Sequence, residues 1–334
     1  MVLATLLGAL SLGTDVMMIY YHWMHLQKAA DAAALAGASQ LLTNAPKAPD
    51  ALPGCASSPL TTRVACNYAV TNAAKPSEVT VNVPALNPPK SVPAGARTIQ
   101  VILNRVDIPV YFLRVLGRRT PYSAVAAATA ALTPINSVHN GLFPAGMPPK
   151  PNGQDPTYGT VFQLLDNYSP GNWGWLDIPP KFVGGADPGS AQKSGGAQQL
   201  ETNIVNGCTC DVSTGNWLFT KPGESWGPVR DAVATHQPNG TTVPPEGSLT
   251  GDEPQLVLVP IVDWSTSSPG AASPVKILGF AEVWLVNFTK GKNGPGTTGN
   301  TQTLTVQFVQ WVDDIHGSGG GGTDYGAYKI HLVE

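Results

Sequence analysis

From Val2 to Tyr21 the chain is apolar almost without interruption, VLATLLGALSLGTDVMMIYY, and Asp15 is its one formal charge. At about 1.5 Å of rise per residue such a run is long enough to cross the roughly 30 Å hydrocarbon core of a bilayer, so the pattern predicts a membrane-spanning helix. No breaker follows it. HWMHLQKAADAAALAGASQLL continues in strong helix formers, which predicts one stem helix over residues 1–42, apolar in its first half and amphipathic in its second. No Lys or Arg precedes the apolar run, and small-residue cleavage patterns occur only beyond Lys28 and Asp31. A cleaved secretory signal is therefore a poor fit, and the helix is expected in the mature protein.

The period then changes. A Pro-punctuated connection, TNAPKAPDALPG, leads to a predicted helix over Pro59–Ala74 with Ser58 as its candidate cap. Glu78–Pro84 and Thr98–Ile108 alternate as half-buried strands, Val110–Leu116 reads as a helical turn, and Tyr122–Leu132 is a third strand of small residues. Ala124, Ala126, Ala128 and Ala130 leave room for a helix to lie close against that strand, and the amphipathic half of the stem is the candidate. From Pro134 turns and aromatics dominate, up to a Gly/Ser stretch at Gly184–Gly196. Short helices are expected over Ala197–Val205, closed by Gly207, and in PVRDAVATH after Gly227. Strands are expected over Gln255–Asp263, Val275–Phe288, Gln302–Val312 and Tyr328–Val333. The resulting fold class is α+β: a long N-terminal hydrophobic helix, then a β-rich head in two parts, 43–133 and 134–334.

Composition narrows the function. Charged residues are 12 % of the chain while Gly (36) and Pro (31) are abundant, which suits a loop-rich β protein in an extracellular setting. A net charge of −3 without a basic cluster leaves nothing to neutralise a row of phosphates and excludes nucleic acid as a partner. The four cysteines fit an oxidising compartment. Cys55 and Cys66 flank a turn and a helix start, which predicts one disulfide. Cys208 and Cys210 either bond each other, in a strained Cys-x-Cys loop, or each bond one of the first pair; the spacing does not choose. It is a poor match to a Cys₄ zinc site.

Candidate chemistry is sparse. GSGGGG at Gly317–Gly322 lacks the Lys-Ser/Thr of a phosphate loop and reads as a flexible loop. None of the six histidines stands in a triad or zinc context, so no catalytic residue, metal or cofactor is expected, and the chain is not expected to be an enzyme. His22 and His25, with Tyr20, Tyr21 and Trp23, read as anchors at a bilayer boundary rather than as a metal pair. Asp313, Asp314 and Asp324 read as solvated loop acids rather than a calcium site. Tyr168, Trp173 and Trp175 in NYSPGNWGW offer either a stacking platform for surface glycans or core plugs under a loop, the commoner use. Asn167, Asn239 and Asn287 stand in sequons.

The stretch LGTDVMMIYYHWMHLQKAADAAALAGASQL resembles the N-terminal signature of proteins associated with the tight-adherence (Tad) pilus, the TadG/TadE-like group. That signature is an apolar helix with an acidic residue, an aromatic, then Leu-Gln-x-Ala-Ala-Asp-Ala-Ala-Ala-Leu-Ala. TIQVILNRVDIPVYFLRVLGRRTPYSAVAAATA is similar to the strand, Pro-x-Tyr/Phe-Phe segment and Ala-rich strand that follow it in the group. The likeness is good over residues 1–133 and softer beyond. Basic residues ahead of the helix, and the Asp-x-Ser-x-Ser metal motif of some members, are missing here; the first departure suggests a processed subunit or a truncated record. The resemblance implies a pilin-like subunit, held in the cytoplasmic membrane by its stem with the head outside. It further implies that the stem packs with copies of itself and with other pilus components into a filament, the head being exposed for adhesion. In that state Asp15 is expected to set subunit registry, with a neighbouring subunit's α-amino group or the hydroxyl of Thr14 as its partner. Gly8, Ala9 and Gly13 are expected to let stems approach closely, and Tyr20 and Tyr21 to belong to the same assembly surface. The alternative is a monomeric, membrane-tethered extracellular module that binds glycans or other surfaces.

Overall fold

In the computed structural model one helix, α1, runs unbroken over Val2–Ser39. The structure describes residues 2–42, 48–86, 88–93, 96–112, 122–153, 157–164, 174–193, 196–223, 226–243, 249, 251–268, 270–292, 300–312, 317–320 and 323–333, with 2–9, 11, 152, 226, 228, 290–292, 300–302 and 311–312 described for backbone only. Two compact units divide the chain, Met1–Leu132 with Ile330–Glu334, and Thr133–Lys329. Among the described residues no helix is long and apolar enough to cross a membrane, and the side chains so described begin at Leu10.

The first unit holds α1, α2 (Leu60–Thr71), β1 (Val79–Asn82), β2 (Arg97–Ile108) and the start of β3 (Tyr122–His139). Strands β1, β2 and β3 pair antiparallel in sequence order. Ile99 lies opposite Ala130, Val101 opposite Ala128 and Leu103 opposite Ala126. One face of the sheet therefore sets a large side chain on β2 beside a methyl on β3, as the two-residue period requires. Leu26, Ala29, Ala30, Ala33, Ala34 and Ala38 of α1 join that face and Ala65 and Ala69 of α2 in a single buried cluster. Their spacing is the helical one, and one-carbon side chains let helix axis and sheet come close. Gly37 goes further: a Cβ there would meet the Ile99 methyl and Ala65.

α2 begins at Leu60, with Pro59 in the cap position and no side-chain cap; the expected role of Ser58 is not realised. The buried Asn67 accepts from the Leu52 amide at 2.9 Å and donates to the Asp50 carbonyl at 2.7 Å, pinning the connection to α2. The Cys55–Cys66 disulfide joins the same two segments.

The second unit continues β3 and adds β4 (Val161–Leu164), β5 (Leu176–Asp177), β6 (Phe182–Val183), α3 (Ala197–Asn206), β7 (Cys210–Ser213), β8 (Trp217–Thr220), α4 (Trp226–Ala234), β9 (Leu256–Asp263), β10 (Pro274–Lys292), β11 (Asn300–Val309), β12 (Trp311–Val312), β13 (Gly317–Gly319) and β14 (Ala327–Val333), whose last residues return to the first unit. Strand β10 is the spine, pairing with β9 along one edge and with β8 and then β11, at successive stretches, along the other. Val257 and Val259 of β9, Val283 and Leu285 of β10, and Val306 and Phe308 of β11 form rows that pack with Leu200, Ile204, Val229 and Val233 of α3 and α4. The opposite face of β9 and β10, with Leu258, Val262, Ile277 and Phe280, is buried as well, in a core with Ile135, Val138 and Val212. Burial on both faces is why β9 is continuously apolar rather than alternating.

The Gly-rich stretch departs from its expectation as a flexible loop. Gly317–Gly319 is strand β13, antiparallel to β3. Only glycine fits this approach, because a Cβ at Gly317 would strike Ile135 and one at Gly319 would strike Thr133. Gly207 closes α3 with φ +71 and its Cβ direction is filled by the Gly141 backbone, so it is glycine for two independent reasons. Strands β4 to β8, two to four residues each, have no counterpart in the sequence expectations.

Ala33 is fully buried between α1 and its neighbours. Ala33→Leu should cost about 1–3 kcal/mol by overpacking, measured as a lowered midpoint in denaturant unfolding; an unchanged midpoint would mean the interface is not close-packed.

Candidate functional site

The helix α1 has two differently used halves. In the C-terminal half, the motif residues attach the helix to its own unit. Leu26, Ala29, Ala30, Ala33 and Ala34 are buried, and the Gln27 amide donates to the Ala127 carbonyl of β3 at 3.1 Å and to Asp31 at 2.8 Å. Arg97 of β2 donates to the Leu41 carbonyl at 2.8 Å, in the turn that follows α1. Neither role was expected.

Among the described residues of the N-terminal half, from Leu10 on, many side chains are exposed. Leu10, Val16 and Met17 are more than half exposed, as are Tyr20 and Tyr21, while Leu12 and Trp23 are near 40 %. At 3.6 residues per turn these seven fall in one arc of about 180°. Gly13 lies within the arc, exposed, with no atom within 4 Å of where its Cβ would be. Tyr20 stacks on Trp23 at 6.0 Å and Tyr21 meets His25 edge-on at 4.3 Å. Thr14 is exposed. Gly8 and Ala9 lie in α1, but their surroundings fall outside the described residues.

Asp15 points away from this arc and is 1 % exposed. Its Oδ1 accepts from the Tyr111 amide at 3.0 Å and its Oδ2 from the Phe112 amide at 2.8 Å. The expected partner was a neighbouring subunit's amine or the Thr14 hydroxyl; the structure supplies two backbone N–H groups from the same chain, 96 and 97 residues away. An ionised carboxylate is an acceptor only, and two convergent amides are what a buried one requires. Tyr111 and Phe112 form a bend rather than the start of a helical turn, and 113–121 lie outside the described residues. Both aromatic side chains project outward, 63 % and 44 % exposed.

Beside the helix, Arg105 of β2 forms a two-pronged pair with Glu78, Nε to Oε1 and Nη2 to Oε2 both at 2.9 Å, and donates to the Ala73 carbonyl at 2.8 Å. Burial opposes the charge on Glu78, but Arg105, the Lys75 amide and the nearby cations outweigh it and hold the carboxyl below the ordinary glutamate range. The hydrogen bond to Glu78 in turn raises Arg105. Burial, then the positive charge of Arg105 3.5 Å away, pushes His22 below its usual value.

The remaining candidates are not gathered into a site. Trp175 is 2 % exposed between Phe143 and Phe288, at 6.1 and 6.4 Å, so it is a core plug and not a surface contact. Tyr168 and Trp173 lie outside the described residues, as do Asn167, Asp313 and Asp314. Cys208 bonds Cys210, which resolves the pairing left open by spacing. Asp324 accepts from the Gly326 amide and the Tyr328 hydroxyl. Asn239 accepts from the Thr241 amide and hydroxyl at the rim of a pocket of about 220 Å³ lined by Arg230, Gln237 and Phe288, below the usual 300–1,000 Å³ of a ligand site. Among the described residues no three His, Cys, Asp or Glu are grouped to hold a metal ion.

Asp15→Ala leaves the Tyr111 and Phe112 amides without their acceptor and should lower the stability of the first unit by about 1–3 kcal/mol, read by chemical denaturation; Asp15→Asn, which keeps one acceptor oxygen, should lose less. For Glu78 the folded-state pKa is depressed, so its stabilisation is complete above the unfolded value of about 4.3 and is lost as pH falls through the lower folded value. Glu78→Gln should therefore cost about 2 kcal/mol at neutral pH and flatten the acid limb of the stability–pH curve. An unchanged limb would show that the pair contributes nothing.

A family model described as "Tad: Putative Flp pilus-assembly TadE/G-like" matches residues 1–40. No curated protein and no solved structure matches the chain. The matched segment is α1 itself, with its alanine-docked half and its uncovered half, so the likeness to this Tad pilus-assembly family covers residues 1–40.

Proposed function

We propose that this chain is a non-enzymatic, pilin-like subunit of a Tad-type extracellular filament. The N-terminal half of α1 holds it at the cytoplasmic membrane before assembly and joins it to further copies and to other pilus components afterwards, while the β-rich unit forms the outward surface that meets cells or other surfaces. The observation that supports this most is the uncovered arc from Leu10 to Trp23 on a stretch of helix whose acid, Asp15, is already satisfied inside the chain. An arc of this kind gains by being covered, and Gly13 gives a second helix a place to approach. Glycan binding through the aromatic knot has less support, since Trp175 is committed to the core.

The test is a Val16→Arg, Met17→Arg double variant. Both side chains are exposed, so the head should fold as before. An arginine in an apolar contact costs about 2.5–3.5 kcal/mol on insertion scales, so recovery of the chain in sheared fibres, or with co-purified pilus components, should fall by tenfold or more. Normal incorporation of the folded variant would remove the proposal.

A further inference from the structure

Asp15 lies six residues before Tyr21 on α1, which at 1.5 Å per residue is about 9 Å closer to the N-terminus. Its carboxylate holds the backbone of Tyr111 and Phe112 at that same level. Any apolar layer that receives α1 as far as Tyr20 and Tyr21 must therefore also receive this segment of the head. The side chains agree with such a placement. At the level of Asp15 the helix shows its apolar arc on one side, and on the other the carboxylate is covered by a strap whose own aromatic side chains project outward.

The extent of this surface separates the kinds of partner. The seven arc residues, Tyr111 and Phe112 are each 40–68 % exposed. Taking about 150–250 Å² for a full aromatic and somewhat less for an aliphatic side chain, they carry on the order of 1,000 Å². The largest apolar patch of a typical monomer is about 300–600 Å². A single partner helix seats on roughly two of every seven positions, a narrower stripe than the arc of about 180° on α1.

We propose that Tyr111 and Phe112 are a lipid-interface contact: held by Asp15, they enter the headgroup–acyl boundary of a bilayer together with the N-terminal half of α1. Asp15 is the positioning residue, and the two amides on its carboxyl oxygens are what let an acid stand in the middle of an apolar run. This rests on the reading that α1 meets a membrane, and the experiment separates the two.

The described cysteines are all in disulfides, so single reporters can be introduced as Met17→Cys and Phe112→Cys in the full chain. Each is labelled with an environment-sensitive dye and reconstituted with phosphatidylethanolamine–phosphatidylglycerol vesicles containing spin-labelled lipid quencher. Quenching at both positions is the expected result, with Asp15→Ala abolishing it at 112 and sparing it at 17. In unlabelled chain, Tyr111→Ser with Phe112→Ser should weaken vesicle binding about tenfold, an exposed double change that does not depend on the Asp15 variant folding. Quenching at 17 with 112 in water overturns the strap contact and leaves the membrane reading standing. Quenching at neither overturns both, and a dye shift that appears only as copies associate assigns the surface to a second copy instead. Persistent quenching at 112 in Asp15→Ala removes the positioning role.

Discussion

The close seating of α1 on its own sheet is the constraint from which the rest of the first unit follows. A helix of ordinary side chains would ride well above β2 and β3; one that presents alanine at 29, 30, 33, 34 and 38 to a strand that presents alanine at 124, 126, 128 and 130 comes close enough for Gln27 to reach a strand carbonyl. The dispersion gained per methyl is small, so the interface depends on complementarity rather than on any single side chain. Arg97 at the end of the helix and the Glu78–Arg105 pair beside it then fix the direction of α1 as it leaves the unit.

That direction gives the N-terminal half its character. A helix anchored by its second half and held at Asp15 cannot turn its apolar arc inward. The carboxylate is removed from the outer surface by two amides of the same chain, so the exposed residues around it are uncharged. The charge that looked like a contact for a neighbour is consumed internally, and what remains for neighbours or lipid is apolar area. Within the first unit, α1 is thus held to the sheet by its alanines and to the 111–112 backbone by Asp15.

In the second unit glycine does what alanine does in the first. Gly317 and Gly319 let β13 lie against β3, Gly279 makes room for the Tyr325 ring, and Gly326, at φ +92, for the Phe308 ring. The abundance of glycine and proline that suggested loops is partly a packing device, and the sheet around β10 is closed by segments that carry no strand-like pattern of their own.

Recurrence at three and four residues in α1, alternation in β2 and β3, and unbroken apolar runs in β9 and β10 are local properties, and they were sufficient to place those elements and the α+β class. The N-terminal signature was equally local, because each of its residues does its work on one helix. The partner of Asp15 was out of reach, since it is a pair of backbone amides nearly a hundred residues away and no side-chain pattern marks an amide. The burial of Trp175, the strand at Gly317–Gly319 and the two-to-four-residue strands were decided by what packs against them. A residue's period reports only the face it shares with its neighbours in sequence; which atom meets that face is settled when the chain closes on itself.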